Sequence, residues 1–458
     1  MLAAVSTAMP PKGTHRDESP VRDRGDACPG ALRLHAADDG RLARLRLPGG
    51  LLTARQAEVV ADAAELLGDG HLDLTSRGNV QLRGLAESCA APLAARLHAA
   101  GLLPSERHER ARNIVASPLA GEDELPFADV RLWVRELDAL VCASDRAADL
   151  SGRFLFALDD GRGDVATLGA DVTLLAEPGA GSAVLLVGPG RLRVRAADAP
   201  RAALLAAEAF RTAAAGSGAW RVHELPGDGA ARLAAVLRDA LGAGGVRAEH
   251  VPDPYAPPRG GPPALGTVRA PGGERAAVCV QPPLGRLTAA QWRLLAGAGD
   301  GLRVTPWRSL VVPGLTPTAA DVLLGRAAAA GLVTSADSPW TRVGACTGRP
   351  GCAKSLADVR ADAAAAAAGP RARLPVYFSG CARRCGHPRG PHLDKVATGD
   401  GTYATTTVTD AAPSTGPGPD PGPDPAPARR HPRRDPGTPD TPGTPDTPDT
   451  PTTTTVTR

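Results

Sequence analysis

The chain repeats itself, and the repeat is the strongest constraint on its fold. Thr75, Gly84 and Leu85 within residues 72–85 recur as Thr305, Gly314 and Leu315 within residues 302–315. Upstream, the heptads at 50–56 and 285–291 share Gly, Leu, Thr, Ala and Gln at matching places. Each heptad places a threonine, Thr53 or Thr288, where a helix N-cap belongs, because its hydroxyl can accept an otherwise orphaned backbone N–H. Each copy therefore predicts a helix, a strand, a tight turn and a second strand, then a further helix at 91–101 or 319–331. Such units are ferredoxin-like half-domains, and two of them can pair about a pseudo-twofold axis.

The stretches between and after the copies read as α/β. The first has a helix near 127–143, strands near 153–158, 171–175 and 183–187, and helices near 200–215 and 229–241. The second begins near Thr341 and contains an Ala-rich helix at 355–368. The expected fold class is α+β: two half-domains alternating with two α/β domains, the whole an internal duplication. The expected layout is an N-terminal disordered segment at 1–30, half-domain one at 31–105, α/β domain one at 106–250, half-domain two at 251–335, α/β domain two at 336–410, and a disordered tail at 411–458. The tail is built of Pro, Asp, Gly and Thr in Thr-Pro-Asp and Gly-Pro-Asp units. Such units bury too little apolar surface to offset the entropy of ordering them.

Formal charge is +3 from 52 basic and 49 acidic residues, which argues against nucleic acid or a membrane surface as partner. No apolar run approaches the ~20 residues of a membrane span, and no signal-peptide core is visible, so a cytoplasmic location is expected. In that reducing compartment eight cysteines are not expected to pair as structural disulfides. Cys28, Cys89, Cys142 and Cys279 are scattered, whereas Cys346, Cys352, Cys381 and Cys385 fall within forty residues. Their spacing is C-x5-C and C-x3-C, and four thiolates from two loops suit a 4Fe-4S cluster. Structural zinc is the alternative, although its ligand pairs usually have two to four intervening residues. Cys352 is expected directly before a helix, whose N-terminal amides would favour thiolate. No Rossmann-type glycine-rich turn between strand and helix is evident, so electrons must come from a separate donor.

The order of domains, the segment from Thr75 to Gly84, Arg112-Asn113 and the paired cysteine motifs resemble the sulfite and nitrite reductase superfamily over residues 31–405. Within it, the segments 379–388, 154–161 and 305–308 are most similar to the precorrin-3B synthase family. That resemblance implies a monooxygenase that uses dioxygen to hydroxylate precorrin-3A at C20 and close a γ-lactone in aerobic cobalamin biosynthesis. It implies a 4Fe-4S cluster and a mononuclear non-haem iron, with NADH through a reductase, or ferredoxin, as electron source. The reductase branch instead sets sirohaem against the cluster, through the cysteine that Cys385 matches. A sirohaem-dependent sulfite or nitrite reductase is thus the alternative, and a non-catalytic iron-sulfur or zinc protein a third reading.

Either macrocycle is a tetrapyrrole with many carboxylates, and guanidinium forks suit these better than ammonium groups do. By resemblance Arg77 and Arg112 would bind the macrocycle. Arg153 stands where the reductases have lysine, Arg83 is a weaker candidate from its strand position, and Asn113 and Gln81 could add hydrogen bonds. Where the reductases carry Lys-Phe-Lys, this chain has Arg153-Phe154-Leu155, one cation fewer. Arg384 replaces a common glycine in the C-x3-C loop and would be strained if that position needs a positive φ. His387, two residues after Cys385, is the candidate catalytic residue, either as a ligand to the second iron or as a proton carrier, with His392 the other histidine nearby.

Overall fold

The computed structural model describes residues 28–123, 128–179, 181–270, 272–388 and 390–409. The expectations for residues 1–27 and for the Pro/Asp/Thr tail fall outside these. Both predicted N-caps form full capping boxes: the Thr53 and Thr288 hydroxyls accept the N–H groups of Gln56 and Gln291, whose side chains accept in return. The same two glutamines donate from Nε2 to Ala100 O at 3.2 Å and Ala330 O at 2.7 Å, tying each first helix to the end of its second.

The two half-domains are interlocked. The first sheet runs, in spatial order, His35–Ala37, Gly40–Leu45, Val80–Leu85, His71–Leu74 and then Arg286–Thr288, a strand from the second copy. The second sheet runs Gly266–Arg269, Ala276–Val280, Leu310–Leu315, Leu302–Val304 and then Leu51–Leu52, from the first. Each copy thus lends the short strand before its helix to the other's sheet, with Leu287 opposite Leu72 and Leu52 opposite Leu302. The helices Ala54–Leu67 and Ala289–Ala296 pack against each other, and alanines at 57, 61 and 64 let the backbones approach. Trp292 is wholly buried there and donates from Nε1 to Ala57 O at 2.8 Å. One apolar core serves both halves.

The two α/β domains share a plan. In the first, Ile114–Ala116, Phe156–Asp159 and Val172–Ala176 are parallel neighbours and Ser182–Val187 adds antiparallel. In the second, Val343–Ala345, Val376–Ser379 and His392–Gly399 are parallel and Thr402–Val408 adds antiparallel. The two faces of the first sheet do different work, since side chains alternate along a strand. Phe156, Leu158, Leu174 and Leu185 face the helices Arg131–Ala143, Ala199–Ala213 and Gly229–Ala243. Val115, Leu155 and Ala157 face the other way and pack with Trp307 of the second half-domain.

Predicted element positions agree to a few residues, with one consequence. The helix expected from Ser355 begins at Val359, with Asp358 as N-cap accepting from Ala361 N. Cys352 therefore lies in a loop and not at a helix N-terminus. The Ser355 hydroxyl donates to Ala357 O at 2.8 Å and holds that loop non-helical, as serine often does near helix starts. Among the described residues no helix is long and apolar enough to cross a membrane.

Candidate functional site

The cysteines sit on two loops at the ends of adjacent parallel strands. Cys346 follows Val343–Ala345 and Cys381 follows Val376–Ser379, strands that pair in register. Cys346 N donates to Phe378 O at 3.0 Å, and its sulfur accepts from Gly380 N at 3.2 Å. Burial pushes the Cys346 thiol up, while the N–H groups of Gly380 and Gly348 pull it down. A cation of iron or zinc charge would resolve that balance toward thiolate. The cradle is tight. A Cβ on Gly380 would stand 2.0 Å from Ser355 Oγ, and one on Gly386, at φ +74°, would stand 2.7 Å from the hydroxyl of Tyr377. Four thiols from two loops, one already accepting a backbone N–H, fit the ligand set of a 4Fe-4S cluster.

Neighbouring domains hold both loops. Arg83, buried, pairs with Asp39 at 2.7 Å and donates to Gly351 O at 2.7 Å, so it braces the Cys352 loop. Tyr377 donates to Cys385 O at 2.7 Å, and Arg308 reaches Gly386 O at 3.4 Å. Arg384 does adopt a positive φ, +48°, and its guanidinium bonds Asp394 at 2.6 Å. That ion pair helps hold a backbone conformation that costs a non-glycine residue ~1 kcal/mol.

The repeated turn supplies the rest of the site. Thr75 and Thr305 each hydrogen-bond the residue four ahead, Asn79 or Ser309, through both backbone and hydroxyl. Gly78 in the first turn has φ +64°, and Arg308 at the same place in the second has φ +57°. The two turns thus aim different side chains from one geometry. Arg77, Asn79 and Trp307 all face α/β domain one, Trp307 against the cluster that holds Leu155, whereas Arg308 reaches the Cys385 loop.

Around Gly152 the arginines converge. Arg77 and Arg46 donate to Gly152 O at 3.1 and 3.2 Å. Burial, then Arg221 and Arg44, pushes the Arg77 guanidinium down to about 10; burial, then Arg44, pushes Arg46 down to about 9. Arg44 is held by Gln81 at 2.6 Å, and Arg153 lies over the Trp220 ring at 5.0 Å. Arg46 is only 3% exposed, and its Nε and one terminal nitrogen meet no hydrogen-bond partner among the described residues. Buried guanidinium nitrogens of Arg46 without acceptors among the described residues, beside Arg44 and Arg77, make a place that would gain from an anion.

The remaining expected residues are occupied differently. Arg112 is buried and bidentate to Asp138 at 2.7 and 2.8 Å, with a third bond to Leu102 O. Asn113 accepts from Asn79 and donates to Phe154 O, so it fastens the first turn to α/β domain one. His387 lies at the edge of the cysteine loop, its Nε2 2.9 Å from Nε2 of His392. Sequence reasoning missed Arg46 and Asp394. The signal for Arg46 was present in the alternation Ala43, Arg44, Leu45, Arg46, Leu47, which puts Arg44 and Arg46 on one face of a strand whose other face is buried.

The model of the nitrite/sulfite reductase ferredoxin-like half domain matches residues 35–100 and again 268–330, one match for each repeat. The structure superposes on that of the Mycobacterium tuberculosis NirA protein with a TM-score of 0.65, over 80% of this chain and 73% of that one, at 23% identity. The chain thus carries this half domain twice and shares the fold of NirA. It is 27% identical to a Sinorhizobium precorrin-3B synthase over 407 residues, 87% of this chain and 85% of that protein. A ferredoxin–nitrite reductase from Synechococcus elongatus is 35% identical, but over 127 residues, a quarter of its length. The superfamily architecture, duplicated half-domains with two α/β domains, is the one expected from the repeat.

Proposed function

We propose that this chain is an oxygenase of the precorrin-3B synthase type, acting on precorrin-3A with dioxygen. The observation that carries the reading is Leu155. Where reductases carry the second lysine of Lys-Phe-Lys, Leu155 is 4% exposed and packed with Val115, Ala157, Val165 and Trp307. An apolar side chain there offers nothing to a small oxyanion. The end-to-end similarity to a precorrin-3B synthase supports the same choice.

In this reading Arg46 and Arg77 bind macrocycle carboxylates, and Arg44, steered by Gln81, extends the cationic surface. Cys346, Cys352, Cys381 and Cys385 hold a 4Fe-4S cluster, which when bound supplies one electron at a time. Arg83, Tyr377 and Arg308 keep its loops in place. His387 follows Cys385 by two residues in the same loop. Burial, then His392, pushes its imidazole down, which keeps it neutral and able to accept a proton or a metal near neutral pH.

The test is anaerobic purification followed by iron and sulfide analysis, pigment extraction, and turnover of precorrin-3A with dioxygen and a chemical or enzymatic electron donor. The expected result is a cluster, no sirohaem, and oxygen-dependent hydroxylation. Stoichiometric sirohaem with sulfite or nitrite reduction would replace this reading by the reductase one.

A further inference from the structure

Two buried serines flank the backbone that leads to Cys381, and they differ in one respect. Ser355, 1% exposed, is the residue that a Cβ on Gly380 would meet, and its hydroxyl is committed to Ala357 O at 2.8 Å. Ser379, wholly buried, immediately precedes Gly380, and its hydroxyl has no hydrogen-bond partner among the described residues. Leaving such a group unpaired costs about 1–3 kcal/mol, so a buried orphan calls for a physical reason.

The strand Val376–Ser379 decides which way that residue faces. Val376 and Phe378 pack into the domain core with Val359 and Ala363 of the helix, so Tyr377 and Ser379 take the opposite face. Tyr377 on that face donates to Cys385 O at 2.7 Å, which sets the face against the second cysteine loop. Ala345 pairs with Phe378 in the parallel register, so Cys346 stands level with Ser379 at the end of the neighbouring strand. One residue on, Gly380 N donates to Cys346 Sγ at 3.2 Å. The backbone acceptors close by are already engaged: Phe378 O accepts from Cys346 N, Gly380 O from Leu356 N, and Cys385 O from Tyr377. What the neighbourhood still offers is sulfur, a weak acceptor as neutral thiol and a better one when it carries negative charge.

We infer that the Ser379 hydroxyl donates to a sulfur of the cluster held by Cys346, Cys352, Cys381 and Cys385, and so raises its reduction potential. Reduction adds negative charge that the sulfurs share, so a donated hydrogen bond stabilises the reduced form more than the oxidised one. A higher potential lets a weaker electron donor reduce the protein. Ser379 is in this sense a tuning residue, acting through the cluster and not on the substrate. The inference rests on the cluster of the proposed function and is independent of which macrocycle is bound.

The experiment uses full-length protein with its cluster reconstituted anaerobically, followed by a redox titration read from the electron paramagnetic resonance of the reduced cluster. Ser379→Ala should load as much iron and sulfide as the parent. At the parent's midpoint it should hold at least threefold less reduced relative to oxidised cluster, a fall of roughly 28 mV at ~59 mV per tenfold. Ser379→Thr, which keeps the hydroxyl, should recover most of that difference. Before reconstitution the alanine variant should unfold at a urea concentration no lower than the parent's, because it removes a group that has nothing to bond. A loaded Ser379→Ala with the parent's potential would overturn the inference. So would an unloaded Ser379→Ala clearly less stable than the parent, since the hydroxyl would then have its partner within the protein. Loss of the cluster in the alanine variant, with the threonine variant loaded, would replace tuning by a role in holding the cluster. A parent that assembles no cluster would defeat the inference together with the cluster reading, whereas an unmoved potential defeats the inference alone.

Discussion

Replacing Arg46 by methionine should make the empty protein more stable and its ligand binding weaker, two effects of opposite sign from one change. Among the described residues the Arg46 side chain makes one hydrogen bond, to Gly152 O, and that oxygen keeps the bond from Arg77 if Arg46 is removed. The loss is therefore about 1.5–3 kcal/mol, the range for a bond from a charged donor. Against it stand two buried nitrogens without acceptors among the described residues, each costing about 1–3 kcal/mol, and the repulsion from Arg44 and Arg77. Methionine fills much of the same volume with no charge to desolvate. The net expectation is a gain of roughly 1–2 kcal/mol in the free protein, read as a higher urea midpoint at unchanged slope. Affinity for a polycarboxylate tetrapyrrole, followed by absorbance or fluorescence titration, should fall by about 1.5–3 kcal/mol, roughly tenfold to 150-fold. A variant less stable than the parent that binds the macrocycle equally well would refute the reasoning.

Arg112→Ala should behave differently, destabilising by roughly 3–5 kcal/mol in urea unfolding because it strands Asp138, whereas Arg77→Ala should weaken macrocycle binding with a smaller stability cost. Gly380→Ala forces a methyl onto Ser355 and should cost about 1–3 kcal/mol and lower reconstituted iron and sulfide, while Gly261→Ala, with nothing within 4 Å, should leave cluster content alone. Burial, then the Asp159 carboxylate, pushes Asp164 up to about 7. The folded chain then holds a proton that the unfolded chain, with an ordinary carboxyl near ~3.9, releases, so stability is fullest below ~4 and declines as pH rises through about 7. Asp164→Asn should flatten the urea midpoint between those limits, and an unchanged pH slope would contradict the assignment.

Much of this was legible in the sequence because the relevant signals are local. Thr53 with Gln56 and Thr288 with Gln291 make their caps within four residues, and the C-x5-C and C-x3-C spacings set four cysteines apart from the rest without any tertiary knowledge. The fold class followed from the repeat. What sequence reading left out was non-local. Nothing in Leu51–Leu52 or Arg286–Thr288 says that each completes the other half's sheet, because a two- or three-residue strand takes its partner from tertiary packing. Arg112 and Arg83 resemble free cations in sequence, and only the fold brings Asp138 and Asp39 to them. Asp394 reads as a solvent-facing residue in an alternating strand until His387 arrives from the preceding loop.

The exchange of short strands between the halves also bears on descent and on divergence. A single half-length unit would keep its own sheet edge open and lend its short strand to nothing, so it is complete only with a second copy across the axis. The present chain is in effect a twofold dimer joined into one polypeptide. Joining removes the requirement that both partners stay identical, and the loops at matching strand ends show how far that freedom has gone. Cys346 and Cys381 stand after strands of the second copy, where Ser117 and Asp160 follow the corresponding strands of the first. In the first copy Asp159 gathers the N–H groups of Gly161, Gly163, Val165 and Ala166 on its two oxygens. One copy organises its loop around a carboxylate, and the other was left free to set cysteines in the equivalent loop.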